Sequence, residues 1–459
     1  MKVLFISLGC DKNLVDSEKM LGLLCRAGYE ITDREEQAEI IVINTCCFIH
    51  DAKEESIETI LEMAEWKKKG NVKALIVTGC LAQRYREEMK KELPEVDAIL
   101  GTTGYEEIVE AMEETLQGKK VEKFKELTYL PGFGMRGQYR EKLVSAYQEE
   151  NRVITTVGGF YSYLKIAEGC DKHCSYCIIP KIRGNYRSIP IESLIKEATY
   201  LVGQGVKELI LVAQETTCYG IDLYGKKMLP KLLKELCNIK GLVWIRILYC
   251  YPEEITEELI QVIKEEKKIC HYLDLPIQHA SDFILKRMGR RTNKKELIAI
   301  ITKLRQEIPD IALRTTLITG FPGETKEQHR ELKEFVKKMR FERLGVFPYS
   351  PEEGTLAAEM TDQIEDTIKE ERRRELMELQ QEIAFENAEK MQDRELYVMV
   401  EGKLEDEPVY IARTYQDAPN LDGYLFFECP YEIISGDFVK VKVTGSKDYD
   451  LLGLVVEYE

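Results

Sequence analysis

Three short apolar runs, Val3–Leu8, Ile40–Ile43 and Ala74–Val77, each give way to a longer charge-rich stretch. A continuous run of Val, Ile and Leu of this length is the pattern of a strand buried on both faces, and the polar stretches between read as crossover helices. Residues 1–118 are therefore predicted to form an α/β domain with a parallel sheet. A second series begins near residue 156. Tyr163–Ala167, Glu208–Val212, Val243–Leu248, Tyr272–Leu275, Leu313–Ile318 and Leu344–Tyr349 read as strands separated by helical stretches. Six such units predict a partial (β/α) barrel, whose chemistry belongs at its C-terminal mouth. Residues 119–155 read as a connector containing the breaker cluster Leu130-Pro131-Gly132-Phe133-Gly134. Asp362–Met391 is a charged helical stretch with an interrupted apolar stripe of Leu376, Leu379, Ile383 and Phe385, and it closes the barrel domain, 156–393. From 394 to 459 the runs Leu396–Val400 and Phe438–Val443 predict strands of a small β-barrel.

Each of the first three strands runs into a cysteine: Gly9-Cys10, Thr45-Cys46 and Gly79-Cys80. The C-terminal ends of parallel strands share one edge of a sheet, which is where such sheets bind ligands. The three thiols are thus predicted to converge although they are far apart in sequence.

Composition sharpens this. At 44% hydrophobic and 32% charged residues the 459-residue chain reads as a soluble globular protein. No apolar run approaches the roughly 20 residues of a membrane span, and Met1–Leu8 carries no signal-peptide pattern, so a cytoplasmic location is expected. A reducing compartment makes disulfides improbable and turns thirteen cysteines toward metal binding or catalysis. The net charge of −16 opposes nonspecific binding to nucleic acid.

The strongest local signal is Cys170-Asp171-Lys172-His173-Cys174-Ser175-Tyr176-Cys177, directly after the first barrel strand. Three thiolates at this spacing suit three irons of a four-iron cluster and leave the fourth iron open. Zinc is the rival, but a structural zinc site needs four ligands, and His173 adjoins Cys174, an awkward place from which to reach the same ion.

This CxxxCxxC run, with an aromatic residue before its last cysteine and at the head of a partial barrel, resembles the radical S-adenosylmethionine superfamily. The resemblance implies that Cys170, Cys174 and Cys177 hold a 4Fe-4S cluster whose open iron binds the amino and carboxylate groups of S-adenosylmethionine, with Tyr176 beside cluster or adenine. One electron then yields a 5′-deoxyadenosyl radical that removes hydrogen from an unactivated carbon. A three-cysteine α/β domain, a radical barrel and a small terminal β-domain together resemble the methylthiotransferases, whose last domain is called TRAM. That likeness covers nearly the whole chain. It implies a second, auxiliary 4Fe-4S cluster on Cys10, Cys46 and Cys80, where sulfur is carried. The other seven cysteines are assigned to packing, with Cys47 a possible competitor of Cys46.

Further candidates lie at the barrel mouth. Gly320-Phe321-Pro322-Gly323-Glu324-Thr325 follows a strand, so Gly320 and Gly323 are read as admitting the cofactor. Gln214 and Glu215 end another strand, at a place where the family usually has Gln-Asp-Thr. Arg246 is read either as a partner of the cofactor carboxylate or as half of an internal ion pair. Gln278 and His279 are expected at the mouth or its rim, and Ser281 as a helix N-cap.

The segments Ser7–Glu18, Tyr272–His279 and Asp417–Gly423 resemble the branch that modifies the β-carbon of an aspartate in small-subunit ribosomal protein S-12. The terminal domain, with fourteen acidic and five basic residues over 395–459, suits a basic protein better than RNA. The chain is accordingly expected to modify that protein as a monomer, with an electron donor as partner. The alternatives are a transfer RNA adenosine methylthiotransferase and a noncatalytic metal-stabilised ribosome- or RNA-binding protein. Asp422→Lys and Glu428→Lys are the charge reversals that would weaken binding of a basic protein.

Overall fold

The computed structural model describes residues 1–130, 134–135, 152–405 and 407–457. Its first sheet has six parallel strands in the order β2-β1-β3-β4-β5-β6: β1 (Lys2–Ser7), β2 (Glu30–Thr32), β3 (Ile40–Thr45), β4 (Ala74–Gly79), β5 (Ala98–Leu100) and β6 (Val121–Lys123). Every residue of β3 and β4 is buried, as the unbroken apolar runs require. The three strands that lead to cysteines, β1, β3 and β4, are neighbours. The sheet reaches further than the apolar runs suggest. Strand β6 falls within the stretch read as a connector, and β2, β5 and β6 have only three residues each, too few for a period to show. Of that connector, 131–133 and 136–151 lie outside the described residues; Tyr129–Leu130 (β7) pairs antiparallel with Gly134–Met135 (β8).

The second sheet is also wholly parallel, ordered β16-β15-β14-β13-β12-β9. Its strands are β9 (Tyr161–Lys165), β12 (Glu208–Val212), β13 (Trp244–Ile247), β14 (Ile269–Asp274), β15 (Ala312–Thr319) and β16 (Arg343–Pro348). Two short strands, β10 (Ala167–Glu168) and β11 (Arg187–Ser188), pair with each other and bracket the CxxxCxxC loop. The sheet curves without closing. Its open edge at β16 is covered by the helix Asp366–Glu389, which buries Leu376, Gln380, Ile383 and Ala384; Gln380 Nε2 donates to the Phe341 carbonyl at 2.9 Å. The third domain is a closed five-stranded barrel, β17 (Glu395–Lys403), β18 (Val409–Arg413), β19 (Leu425–Glu428), β20 (Phe438–Lys447) and β21 (Asp450–Glu457), in the order β17-β18-β19-β21-β20.

Both outer domains plug the partial barrel. At the C-terminal end of its strands, Val15 of the helix Asp11–Arg26 packs with Tyr163 and Leu248, and Tyr249 Oη donates to Asp11 Oδ1 at 3.2 Å. At the other end the 414–422 loop of the terminal domain enters. Ala418 joins the same apolar cluster, Asp417 pairs with Arg343, and Tyr272 Oη donates to Asp422 Oδ2 at 2.8 Å. Asp422 is thus buried between Tyr272 and Arg314, and reversing its charge would disrupt the plug rather than probe a surface. Glu428 is exposed and remains a fair probe.

Candidate functional site

The edge where β1, β3 and β4 end carries Cys10, Cys46 and Cys80. Gly9 has φ +88°, and a Cβ there would lie 2.6 Å from Cys46 Cβ, so only glycine lets β1 end this close to Cys46. Gly79, at φ +96°, similarly has no room for a side chain against Asn44 and Thr45. Asn13 ties the strand ends together: its Nδ2 donates to the carbonyls of Leu8 (3.1 Å) and Thr45 (2.9 Å), and its Oδ1 is 3.8 Å from Cys80 Sγ. Burial pushes the Cys80 thiol up to about 12, against the opposing charge of Arg183, and it also raises Cys46. The charges of Cys10, Cys46 and Cys80 act on one another, as expected of thiols that converge.

Cys47 is fully buried and belongs to the apolar cluster of Ile41, Ile43, Ile60, Leu75 and Val77. Adjacent side chains on extended backbone point to opposite faces. Cys47→Ala is therefore expected to keep the iron content of the native chain, whereas Cys46→Ala loses the auxiliary share. Iron and acid-labile sulfide analysis checks this, and the reverse pattern would show that Cys47 holds the ligand position.

The CxxxCxxC loop leaves β10 through Gly169 (φ +79°), where a Cβ would collide with the carbonyls of Gly184 and Asn185. Cys170 N–H donates to the Gly184 carbonyl at 3.1 Å, Ser175 N–H to that of Met288 at 2.9 Å, and Cys177 N–H to that of Cys174 at 3.0 Å. Burial pushes the Cys170 and Cys177 thiols up to about 12. Tyr176 packs half-buried against Ile284, Met288, Phe321 and Tyr349. His173 is exposed, at φ 53°.

Among the described residues, the only three Cys, His, Asp or Glu ligand atoms within 4.8 Å of one another belong to exposed His50, Asp51 and Glu54. Neither triad is drawn in to the roughly 3.8 Å between sulfurs that tetrahedral zinc with bonds of about 2.3 Å demands. Each site offers three thiols, which suits a cluster with one open iron better than the four closed ligands of a structural zinc site.

The other sequence candidates part company. Gln214 Nε2 donates to Glu168 Oε1 at 2.8 Å, and its buried Oε1 has no partner among the described residues. Glu215 accepts from Thr217 N–H at 2.7 Å and faces Lys172 of the cysteine loop at 3.6 Å; burial raises its pKa. Arg246 makes the internal pair. Its Nε donates to Glu208 Oε1 at 2.8 Å and its Nη1 to the Tyr415 carbonyl at 2.7 Å, so it fastens the terminal domain and does not face the mouth. Gly320 and Gly323 also serve the chain itself: a Cβ at the first would strike Lys369, and at the second Asp362. The turn is packed against the linker before and within Asp366–Glu389. His279 is wholly buried, accepting Ser281 N–H at Nδ1 (2.9 Å) with Nε2 3.5 Å from Glu324 of the turn after β15, and Ser281 makes no side-chain cap.

Three neighbours of the loop escaped the sequence reading. Tyr251 Oη lies 3.5 Å from Cys174 Sγ. Arg290 lies over the Tyr251 ring, 4.1 Å from its centroid. Its guanidinium is buried and has no hydrogen-bond partner among the described residues; the Glu253 carboxylate is 3.8 Å away. Arg183 contacts Cys80. All three sit outside the cysteine motif, and nothing in their local sequence marks them.

A parallel-sheet domain, an open parallel barrel with CxxxCxxC in the loop after its first strand, and a closed β-barrel define a radical S-adenosylmethionine protein with an added three-thiol domain. Family models agree. One described as "Uncharacterized protein family UPF0004" matches residues 2–101, the Radical SAM superfamily matches 164–336, and the TRAM domain matches 394–456. The chain is 65% identical over 453 residues to the "Ribosomal protein uS12 methylthiotransferase RimO" of Lachnoclostridium phytofermentans, covering 99% of both chains. It is 51% identical over 455 residues to the protein of that name from Acetivibrio thermocellus, covering 99% of this chain and 98% of the relative. Among solved structures it shares a fold with the radical S-adenosylmethionine methyltransferase TsrM of Kitasatospora setae, at a TM-score of 0.52 and 14% identity over 89% of this chain and 79% of that one. The chain belongs to the ribosomal protein uS12 methylthiotransferase family.

Proposed function

We propose that this enzyme adds a methylthio group to the β-carbon of an aspartate in small-subunit ribosomal protein uS12, using S-adenosylmethionine and two 4Fe-4S clusters. What supports the reading is that the first domain caps the barrel mouth, with Val15 packed among barrel residues and Cys80 touching Arg183, six residues after Cys177; in this reading Cys170, Cys174 and Cys177 are one cluster's ligands and Cys10, Cys46 and Cys80 the other's. When bound, one cluster with S-adenosylmethionine supplies the radical and the other presents sulfur.

The chain's own residues do the rest. Gly9, Gly79 and Gly169 bend the backbone so that the thiols converge. Lys172, held by Glu215 and Glu254, fixes the loop between Cys170 and Cys174. Arg290, a buried cation with unmet donors beside Cys174, is better placed than Arg246 to meet the anionic end of the cofactor. Tyr176 and Gln214 stay assigned to the cofactor, whereas Gly320 and Gly323 are assigned to the linker. Val15 and Leu14 pack into the barrel interior and exclude water from that side. In this reading the enzyme is a monomer that works in the cytoplasm with an electron donor as partner. No helix among the described residues is long and apolar enough to cross a membrane.

The acidic terminal domain favours a basic partner, although some of its charge never reaches solvent: Asp417 pairs with Arg343, and Asp422 lies buried beside Arg314. Binding of the ribosomal protein is expected to weaken as salt shortens the screening length, about 10 Å at 0.1 M. It should also weaken in Glu428→Lys and Glu432→Lys, both exposed positions. The deciding experiment offers the reconstituted enzyme either the ribosomal protein or transfer RNA, with S-adenosylmethionine and a reductant, and reads both by mass spectrometry. A methylthio group on the aspartate is expected; modification of transfer RNA alone would move the enzyme to the other branch.

A further inference from the structure

The helix Ile179–Arg183 begins two residues after Cys177 and ends on Arg183. Arg183 is 2% exposed, and its Nη2 points to Cys80 Sγ at 3.3 Å. The same Nη2 donates to Asn13 Oδ1, and Asn13 in turn holds the ends of β1 and β3. Nη1 donates to Asp16 Oδ2 at 2.9 Å and Glu168 Oε2 at 3.2 Å. Lys165 pairs with the same two carboxylates. Arg187 also acts on Glu168, so this buried group is not short of positive charge, and the Nη2 proton of Arg183 is the one aimed at the Cys80 sulfur.

A hydrogen bond to a ligand sulfur withdraws electron density from a cluster and is one of the levers that set its potential. A guanidinium donor is charged and forked, so it can hold the sulfur and its scaffold together. The five-residue helix makes that grip depend on the loop that carries Cys177.

We propose that Arg183 is a positioning residue of the auxiliary site: it donates a hydrogen bond to the Cys80 sulfur, raises the potential of the cluster held there, and fixes that sulfur relative to the radical loop. The inference rests on the reading of Cys10, Cys46 and Cys80 as cluster ligands.

The test uses the full chain with Cys170, Cys174 and Cys177 replaced by Ala, so that only the auxiliary cluster remains. In that background Arg183→Gln is expected to lower the reduced-to-oxidised ratio at a fixed potential by about tenfold, equivalent to about 59 mV for one electron. Arg183→Lys, which keeps the charge, should recover part of it. An unchanged midpoint at full iron content would overturn the proposal. If Arg183→Gln fails to fold or to hold iron, a second measurement decides without that variant. Arginine labelled with nitrogen-15 is incorporated, the cluster is reduced, and pulsed electron paramagnetic resonance looks for coupling to an arginine nitrogen. Coupling is expected, and its absence would overturn the proposal while leaving the ligand assignment standing. If the background chain binds no iron at all, the ligand assignment falls and this inference falls with it.

Discussion

Replacing Cys170, Cys174 and Cys177 together by Ala will abolish reductive cleavage of S-adenosylmethionine and halve the iron, from about eight to about four per chain. Replacing Cys10, Cys46 and Cys80 will halve the iron equally, yet some cofactor cleavage should survive, because the radical loop keeps its own ligands and backbone bonds to Gly184 and Met288. Product formation should fall to background in both. Iron and sulfide analysis after anaerobic reconstitution, with chromatography of 5′-deoxyadenosine, separates the cases. Unchanged iron in the second variant would remove the auxiliary site, and zinc in place of iron would favour the noncatalytic alternative.

The second large effect is structural. Glu208 is fully buried at the start of β12, between Arg246 (2.8 Å) and Arg413 of the terminal domain (2.7 Å). Removing one member of a buried ion pair typically costs about 3–5 kcal/mol, because the remaining charge loses its compensation. Glu208→Ala strands the Arg246 guanidinium and leaves Arg413 with Glu401 alone, so a loss within that range is expected in denaturant unfolding, with the terminal domain released first to limited proteolysis. Burial by itself would raise the Glu208 pKa, but Arg413 and Arg246 outweigh it and hold the carboxyl below its ordinary value. A depressed carboxyl stabilises the fold fully above its unfolded pKa and progressively less as pH falls through the folded one. The native chain should therefore lose this contribution on acidification below about pH 4.5, the ordinary glutamate range, whereas the variant has none to lose. A Glu208→Ala chain with native stability would show that the pair contributes nothing net.

The two predictions draw on different levels of information. The cysteine triads were legible in the sequence because each is tied to a local pattern. CxxxCxxC is a contiguous motif, and Cys10, Cys46 and Cys80 each follow an apolar run that forms a strand, wholly buried in β3 and β4 and partly buried in β1. Strand identity, the parallel order and the shared edge follow from short-range periodicity, which needs no knowledge of distant partners. Three-residue strands such as β2, β5 and β6 carry too little pattern and are found only through their neighbours.

What only the tertiary structure decided is where long polar side chains find their partners. Arg246 looked equally suited to a cofactor carboxylate or an internal acid, and the acid that claims it is 38 residues away, in a trio completed from the terminal domain. Gly320 and Gly323 read as room for a ligand, because a glycine's freedom is visible in sequence while the atom that fills the space is not; here it is Lys369 and Asp362. Asp422 counted as surface charge until the loop bearing it entered the barrel. Arg183 meets Cys80 across 103 residues. Backbone conformation and burial are set by near neighbours and composition, so the sequence alone determined the three-part architecture and marked the six thiols as candidates. A buried charge is settled by whichever opposite charge the folded chain brings within reach, and that depends on how three separately built domains pack.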